Sequence, residues 1–581
     1  MLFHPSQSWA RQLLVAAVLL HTCVARGATY YIDYSGGSNA NPGTKAAPWK
    51  THPYMQAASA CTGSGNAPSY SHAAGDTFIF KMGERWPNPC FELSVGAGGA
   101  PGLPDRYTFD ASWGTPPGRV QNGATIGAYT FDAQGTEITA GLNRFIYDDG
   151  IDNIVFDGME LTGLKWTGSP SYGNAQLITL YTSQNVTVSN CYAHGWTHPG
   201  ATSDVMIAVD GYAGPPFNAG SRVTNCLFDG VGASDSGEAV SKIPLLDHNV
   251  VRNMSNGLLP NANAVVHDNL IGPINRSFDS TDHENCIEPI VMGNGVTSTN
   301  YFYNNVWHDC TAVGILTQGA APSTGVEIDY LWNNIAFVGS AASPPIPFQF
   351  DSVSTRLGSC EVHAWNNTIV GGNGACLRTV GRGNGNFGVL DLQNNACISG
   401  GSLIQLDVSA ANFTNTANLL SASATGFNGP SDGAPFSYSP ASAASPTVGQ
   451  GVNLSSLAIG AMASLANDAT YGGFRGALAR PVTGAWDIGA YQWTGQPVLD
   501  AGSPAADAGG VTRAPDSGLG EGASADAGPE PGNADAGSSA PVVRGGEWVG
   551  GCASTPTPEA LAALGLLAAA AGAGARRRRP W

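Results

Sequence analysis

Between about residues 140 and 400 the chain repeats one theme, and that repetition limits its possible folds more than any other feature. Short β-rich runs end in Asn or Asp and start again: NIVFDG (Asn153 to Gly158), NVTVSNC (Asn185 to Cys191), SRVTNC (Ser221 to Cys226), LLDHNVV (Leu245 to Val251) and AVVHDNLI (Ala264 to Ile271). YFYNNVW (Tyr301 to Trp307), DYLWNNIAFV (Asp329 to Val338), VHAWNNTIV (Val362 to Val370) and VLDLQNNACI (Val389 to Ile398) continue the series. Marked at Asn190, Asn225, Asn249, Asn269, Asn305, Asn334, Asn367 and Asn395, the mean step is about 29 residues, which signals a solenoid or a propeller. A propeller blade needs four strands in about 40–45 residues. The shorter, uneven step suits single coils inflated by loops. Asn tolerates left-handed backbone, and its amide can bond from coil to coil. The expected fold is all-β: a right-handed parallel β-helix of roughly nine to eleven coils with an N-terminal cap, its Val, Ile, Leu and Phe buried between coils.

Composition agrees. Charged residues are 12% of the chain, against roughly 25% in ordinary soluble domains, and Gly, at 77 of 581 residues, is near twice its usual share. Hydrophobic residues at 43% supply a large core. The formal charge of −18 argues against general nucleic-acid binding, which needs a basic surface.

The ends read as addresses. Residues 1–27 form a signal peptide, with the apolar stretch Leu13 to Leu20 and small residues near Ala25 and Gly27. Bulky His21 and Thr22 make a poor lipobox before Cys23, so ordinary cleavage is expected. Residues 28–140 are read as cap and first coils, 141–410 as the β-helix core, and 411–496 as C-terminal coils and a closing segment. Residues 497–551 are a disordered linker rich in Ala, Gly, Pro and Ser that repeats Asp-Ala-Gly at Asp500, Asp507, Asp526 and Asp535. Residues 552–581 combine Cys552, a polar spacer, the apolar run Ala560 to Ala575 and Arg576 to Arg579. That run is short for a membrane span of about 20 residues. The tail resembles the MYXO-CTERM sorting signals of myxobacteria. The resemblance implies transient membrane insertion, processing near Cys552 by C-terminal sorting machinery, and anchoring at the cell surface, on the outer membrane. A plain tail anchor is the alternative. Losing both ends removes six arginines and one glutamate, which leaves the exported chain at −23.

The fold reading is joined by a resemblance. The Asn-marked repeats look like those of the pectate-lyase-like superfamily of parallel β-helix proteins. Tyr30 to Thr51 (YYIDYSGGSNANPGTKAAPWKT) resembles the N-terminal entry of bacterial members. SPTVGQG (Ser445 to Gly451) with RPVTGAWDIGAYQW (Arg480 to Trp493) resembles the end of choice-of-anchor Q domains. The architecture hosts lyases, hydrolases, epimerases and inert binding modules, so it implies a fold more strongly than an activity. Leaving out Cys23 and Cys552, nine cysteines remain, consistent with an oxidising compartment. Cys61–Cys90 and Cys360–Cys376 are the expected pairs, and Cys191 and Cys226, alike in position on successive coils, are either bridged or stacked. No C-x-x-C spacing points to a metal–thiolate site.

Strand alternation predicts an outward polar stripe. Inward Val205, Ile207 and Val209 place Asp204, Met206, Ala208 and Asp210 outside; inward Ile287 places Glu284, Cys286 and Glu288 outside. Inward Val313 and Ile315 leave Gln318 outside, and inward Phe348 and Phe350 leave Gln349 and Asp351 outside, with Arg378 and Asp407 further along. Such a furrow suits a sugar chain.

Two clusters stand on it. Asp229, Asp235, Glu238 and Lys242 surround one of only five lysines. A lysine among carboxylates resembles pectate lyases with a calcium site, and implies calcium held by Asp204, Asp210, Asp229, Asp235 and Glu238, with Lys242 as the base for β-elimination. A surface salt bridge between Glu238 and Lys242 is the plain alternative, and Val240 shares their parity while preferring the core. The second cluster holds Asp279, Asp282, His283, Glu284 and Glu288, able to ligate calcium, to act as an acid/base pair in glycoside hydrolysis, or merely to cap a turn. His194 and His198 could extend the site, and Trp166, Tyr172, Trp196, Tyr212 and Trp307 could stack on sugars. The leading expectation is a calcium-assisted lyase acting on acidic polysaccharide. The alternatives are a non-catalytic polysaccharide-binding or adhesin-type surface protein, and a glycoside hydrolase.

Overall fold

The computed structural model describes residues 27–493 except 56–60, 62–65, 138–143, 166–174, 197–205, 213, 215–217, 231–236, 275–283, 290–296, 320–325, 338–345, 353–359, 372–373, 382–386, 399–400, 429–437, 458–479 and 482. The signal, linker and sorting-tail readings, Cys552 among them, lie outside the described residues. So do Asp204, Asp235, His283, His198, Asp279, Asp282, Trp166 and Tyr172.

The chain winds as a right-handed parallel β-helix. The coils add a strand to a first sheet, then a second, then a third; among the described residues the first contains thirteen strands and the second twelve. The third is divided into runs of six and four, joined through bridges from Ile287 to Leu258 and to Ile315. Thirteen strands exceed the nine to eleven coils counted in the sequence. The N-terminal strands Thr29–Ile32, Thr77–Met82 and Asp105–Gly114 stack ahead of the Asn-marked runs and lack the mark that made later coils countable.

Strict register builds the core. In the first sheet Tyr107, Phe156, Val188, Val223, Leu246, Val266, Phe302 and Leu331 follow one another inward, coil by coil. All are essentially inaccessible to water. Each apolar side chain is covered by the same position above and below, so burial is complete although each coil is thin.

The corner after the first sheet carries the repeated Asn. Asn190, Asn225, His248, Asp268, Asn304, Asn333, Asn366 and Asn394 all take left-handed backbone, with φ between 52° and 58°. The next residue lines a buried amide ladder: Asn249 donates to Asn269, Asn269 to Asn305, Asn305 to Asn334, Asn334 to Asn367, Asn367 to Asn395 and Asn395 to Asn418, at 2.9–3.1 Å. The sequence marks thus mixed two adjacent columns, because at Asn190 and Asn225 the ladder position is a cysteine. Those cysteines stack and remain thiols: the Cys191 backbone N–H donates to Cys226 Sγ at 3.4 Å.

Cys61–Cys90 is a disulfide as expected. Cys360–Cys376 is not: Cys376 pairs with Cys397, Cys286 with Cys310, and Cys360 is a buried thiol. Cys360 opens a first-sheet strand, whereas Cys376 on the third sheet faces Cys397 on the second sheet of the following coil. The bridge therefore staples coil to coil rather than closing one coil on itself.

Candidate active site on the third sheet

The third-sheet strands depart from simple alternation, and the departure positions the site. Leu177 and Ile178, Ala208 and Val209, and Ala239 and Val240 all lie in the core, two consecutive residues per coil. The residues flanking each inward pair, Gln176 and Thr179, Ile207 and Asp210, Glu238 and Ser241, stand in register; Gln176 and Glu238 are partly exposed and the other four are buried. This removes the parity conflict at Val240, which stays inside while Glu238 lies outside. It also reverses two expectations: Met206 and Ala208, expected outside, are core. Cys286, expected outside, is inward and disulfide-bonded.

Lys242 follows the strand Glu238–Ser241 with a φ of 64°, in the left-handed region. Its Nζ donates to Asp210 Oδ1 at 2.7 Å, while Gln176 Nε2 donates to Asp210 Oδ2 at 3.3 Å. Burial pushes the Asp210 carboxyl up from its ordinary value, against the pull of Lys242 and Gln176. Glu238, in register with Ile207, is raised to about 7, chiefly by burial and further by Asp210 and Glu288, with Lys242 opposing. Glu288 follows Ile287 two turns further along this sheet, beyond the strand Asn256–Leu259, and is buried; Asn285 Nδ2 donates to its Oε2 at 2.9 Å. Four of the sequence-selected residues, Asp210, Glu238, Lys242 and Glu288, thus share one electrostatic neighbourhood on the third sheet, Asp210 and Glu288 buried within it. Gln176 was missed; its outward place in the strand Ala175–Tyr181 was the available signal.

Further along the same sheet, Gln349 and Arg378 are register partners. Asp351, expected outside, is instead completely buried and accepts from Gln349 Nε2 at 2.9 Å, and Arg378 pairs with Asp407 at 2.8 Å. Gln318 lies on the strand Val313–Gly319 opposite Asp351. Glu284 has a φ of 52° and is partly exposed; its carbonyl accepts from the Ala312 N–H.

Asp229 and His194 do not join this group. They are register partners on the second sheet, where Asp229 pairs with Arg252 at 2.7 Å and His194 contacts Glu160 at 2.7 Å. The reason is topological: Asp229 ends one strand and Glu238 begins the next, so a corner separates them. Trp196 and Trp307 are buried in the core, which removes them as sugar platforms. Tyr212 packs edge-on against the exposed Tyr181, with ring centroids 4.7 Å apart.

The described members of the expected calcium set do not fit that ion. Asp229 is on another sheet, and an ammonium occupies Asp210 Oδ1, where calcium would need several converging oxygens.

No protein-family model matches the chain, and no curated protein matches it. Among solved structures, it is similar to a rhamnogalacturonan lyase at 15% identity and TM-score 0.36, over 69% of this chain and 91% of that one. Pectate lyase Pel9A is similar at 12% identity and TM-score 0.37, over 81% and 97%. PfbA, a surface adhesin of Streptococcus pneumoniae, is similar at 12% identity and TM-score 0.32, over 57% and 84%.

Proposed function

We propose that the protein is exported and held at the cell surface, and that it cleaves a polysaccharide laid along the outer face of its third sheet. The observation that carries this reading is the contrast between two neighbouring carboxyls. Burial raises both carboxyls, Glu238 to about 7, so that it holds or releases a proton near neutral pH, while Lys242 pairs directly with Asp210 and opposes the rise there. Environments that push apart the protonation of two adjacent carboxyls assign an acid and an ionised partner, the equipment of glycoside hydrolysis. In this assignment Glu238 protonates the departing glycosidic oxygen. Asp210, oriented by Lys242 and Gln176, activates water or stabilises positive charge at the sugar.

With Glu238 protonated, the carboxyl groups of Asp210 and Glu288 still outnumber the one ammonium and disfavour a uronate chain, so the preferred substrate is uncharged. The second reading, β-elimination on an acidic polysaccharide, is favoured by Lys242 itself, a scarce lysine on the stripe that could exchange Asp210 for a uronate carboxylate. Incubation with neutral glycans, pectate, alginate and glycosaminoglycans separates these readings. New reducing ends without ultraviolet absorbance support hydrolysis, and unsaturated products absorbing in the ultraviolet support elimination. Retention of a glycan with neither product would make this a binding protein and overturn the catalytic reading.

A further inference from the structure

The corner that carries the left-handed residues is covered unequally. At one end the hairpin Val120–Thr125 lies over it: Gln121 Nε2 donates to the carbonyls of Cys226 and His248, and Asn122 Nδ2 donates to Asn225. At the other, the closing segment bonds to Asn333 through Arg480, to Asn366 at the carbonyls of Asp487 and Gly489, and to Asn394 through the Gly489 N–H. Between these covers the Asn pattern breaks: His248 and Asp268 replace Asn, and His267 precedes Asp268.

One ligating atom from each of His248, His267 and Asp268 lies within 4.8 Å of the others. Both imidazoles are anchored through Nδ1. His248 Nδ1 meets Asp247 Oδ2 at 2.8 Å, and His267 Nδ1 meets Asp268 Oδ2 at 2.7 Å. Asp247 is itself held by Arg222 Nε and Nη2 at 2.5 Å and by Thr224 Oγ1 at 2.7 Å, and Tyr303 stacks on His267 with centroids 4.7 Å apart. On His248 the Asp247 carboxylate on Nδ1 places the ring proton there and leaves the lone pair on Nε2, the arrangement that prepares imidazole for a metal, whereas on His267 an ion would take the place of the proton shared by Nδ1 and Asp268 Oδ2, so that both of those atoms become ligands. The rings are partly exposed, with side-chain accessibilities of 27% and 22%, so an ion can reach them. Asp247 and Asp268 outweigh Arg222 by one negative charge.

We infer that His248, His267 and Asp268 form a binding site for a borderline transition-metal dication, with zinc as the leading ion. Two imidazoles and a carboxylate suit zinc, cobalt or nickel better than calcium or magnesium, and a three-residue set leaves a coordination position for water or an external ligand. The site lies on the corner after the first sheet, whereas Lys242 and its carboxylates lie on the third, so it is independent of the polysaccharide reading.

The test uses the untagged full chain, stripped with chelator and re-equilibrated with zinc alone. Equilibrium dialysis of wild type, H248Q and H267Q is expected to show one zinc bound at micromolar free metal in wild type, and at least tenfold weaker binding in each variant. Cobalt should give visible absorption bands in wild type that both variants lose. Far-ultraviolet circular dichroism confirms that each variant retains its sheets, and a variant that does not is replaced by H267N. Absence of stoichiometric zinc in wild type, or equal binding by the folded variants, would overturn the assignment and leave two structural His–Asp pairs.

Discussion

Replacing Asn334 by Ala tests the amide ladder where it is completely buried. The Asn334 amide makes four hydrogen bonds: Nδ2 donates to Phe302 O at 2.9 Å and Asn367 Oδ1 at 3.0 Å, and Oδ1 accepts from Asn305 N at 3.0 Å and Asn305 Nδ2 at 3.1 Å. Truncation takes the acceptor from the Asn305 N–H and a donor from the Phe302 carbonyl. The Asn305 amide keeps its bond to Val266 O, and Asn367 Oδ1 keeps the Asn334 N–H. Two compromised buried groups at about 1–3 kcal/mol each amount to a loss of about 2–6 kcal/mol. The exposed Asn412→Ala is the control, expected to stay within about 0.5 kcal/mol. Equilibrium urea unfolding reports the global change, and amide hydrogen exchange reports whether the loss centres on the coils around residues 302–367, as nearest-neighbour coupling in a solenoid requires. A loss below about 1 kcal/mol for Asn334→Ala would refute the claim that the ladder bonds hold the coils together.

Further outcomes follow from the site and the cysteines. Glu238→Gln should abolish cleavage, and wild-type activity should fall as pH rises through about 7, where Glu238 loses its proton. The same raised carboxyl stabilises the fold below its unfolded value of about 4.3, and that contribution is lost as pH rises towards about 7. Asp148 and Asp329 are also raised to about 7 by burial, so the difference between wild type and Glu238→Gln in pH-dependent unfolding isolates the Glu238 part. Lys242→Met removes the charge that lowers Glu238 and should move the alkaline limb of any residual activity to higher pH; an unmoved limb would detach Lys242 from the acid–base pair. Peptide mapping after alkylation should recover Cys376 linked to Cys397 and Cys360 as a thiol, and Cys397→Ser should cost about 3 kcal/mol for a loop of 21 residues. A Cys360–Cys376 peptide would contradict the observed pairing.

The sequence by itself determined the architecture, because a parallel β-helix writes its coil into the chain. Asn recurs where the backbone must turn left-handed, and apolar residues recur where coils stack. It also identified Asp210, Glu238, Lys242 and Glu288, since ionisable groups in a weakly charged chain are conspicuous. Only the tertiary structure decided which of them meet. Strict two-residue alternation failed on the third sheet, where Ala239 and Val240 both turn inward, and no local pattern announces such a kink. Asp229 stands in the same stretch of sequence as Glu238 yet on a different sheet, because a corner between them redirects the chain. The pairing of Cys376 with Cys397 follows the same rule: in a solenoid the nearest partner is set by the rise from one coil to the next, and loops of unequal length hide that rise from the sequence.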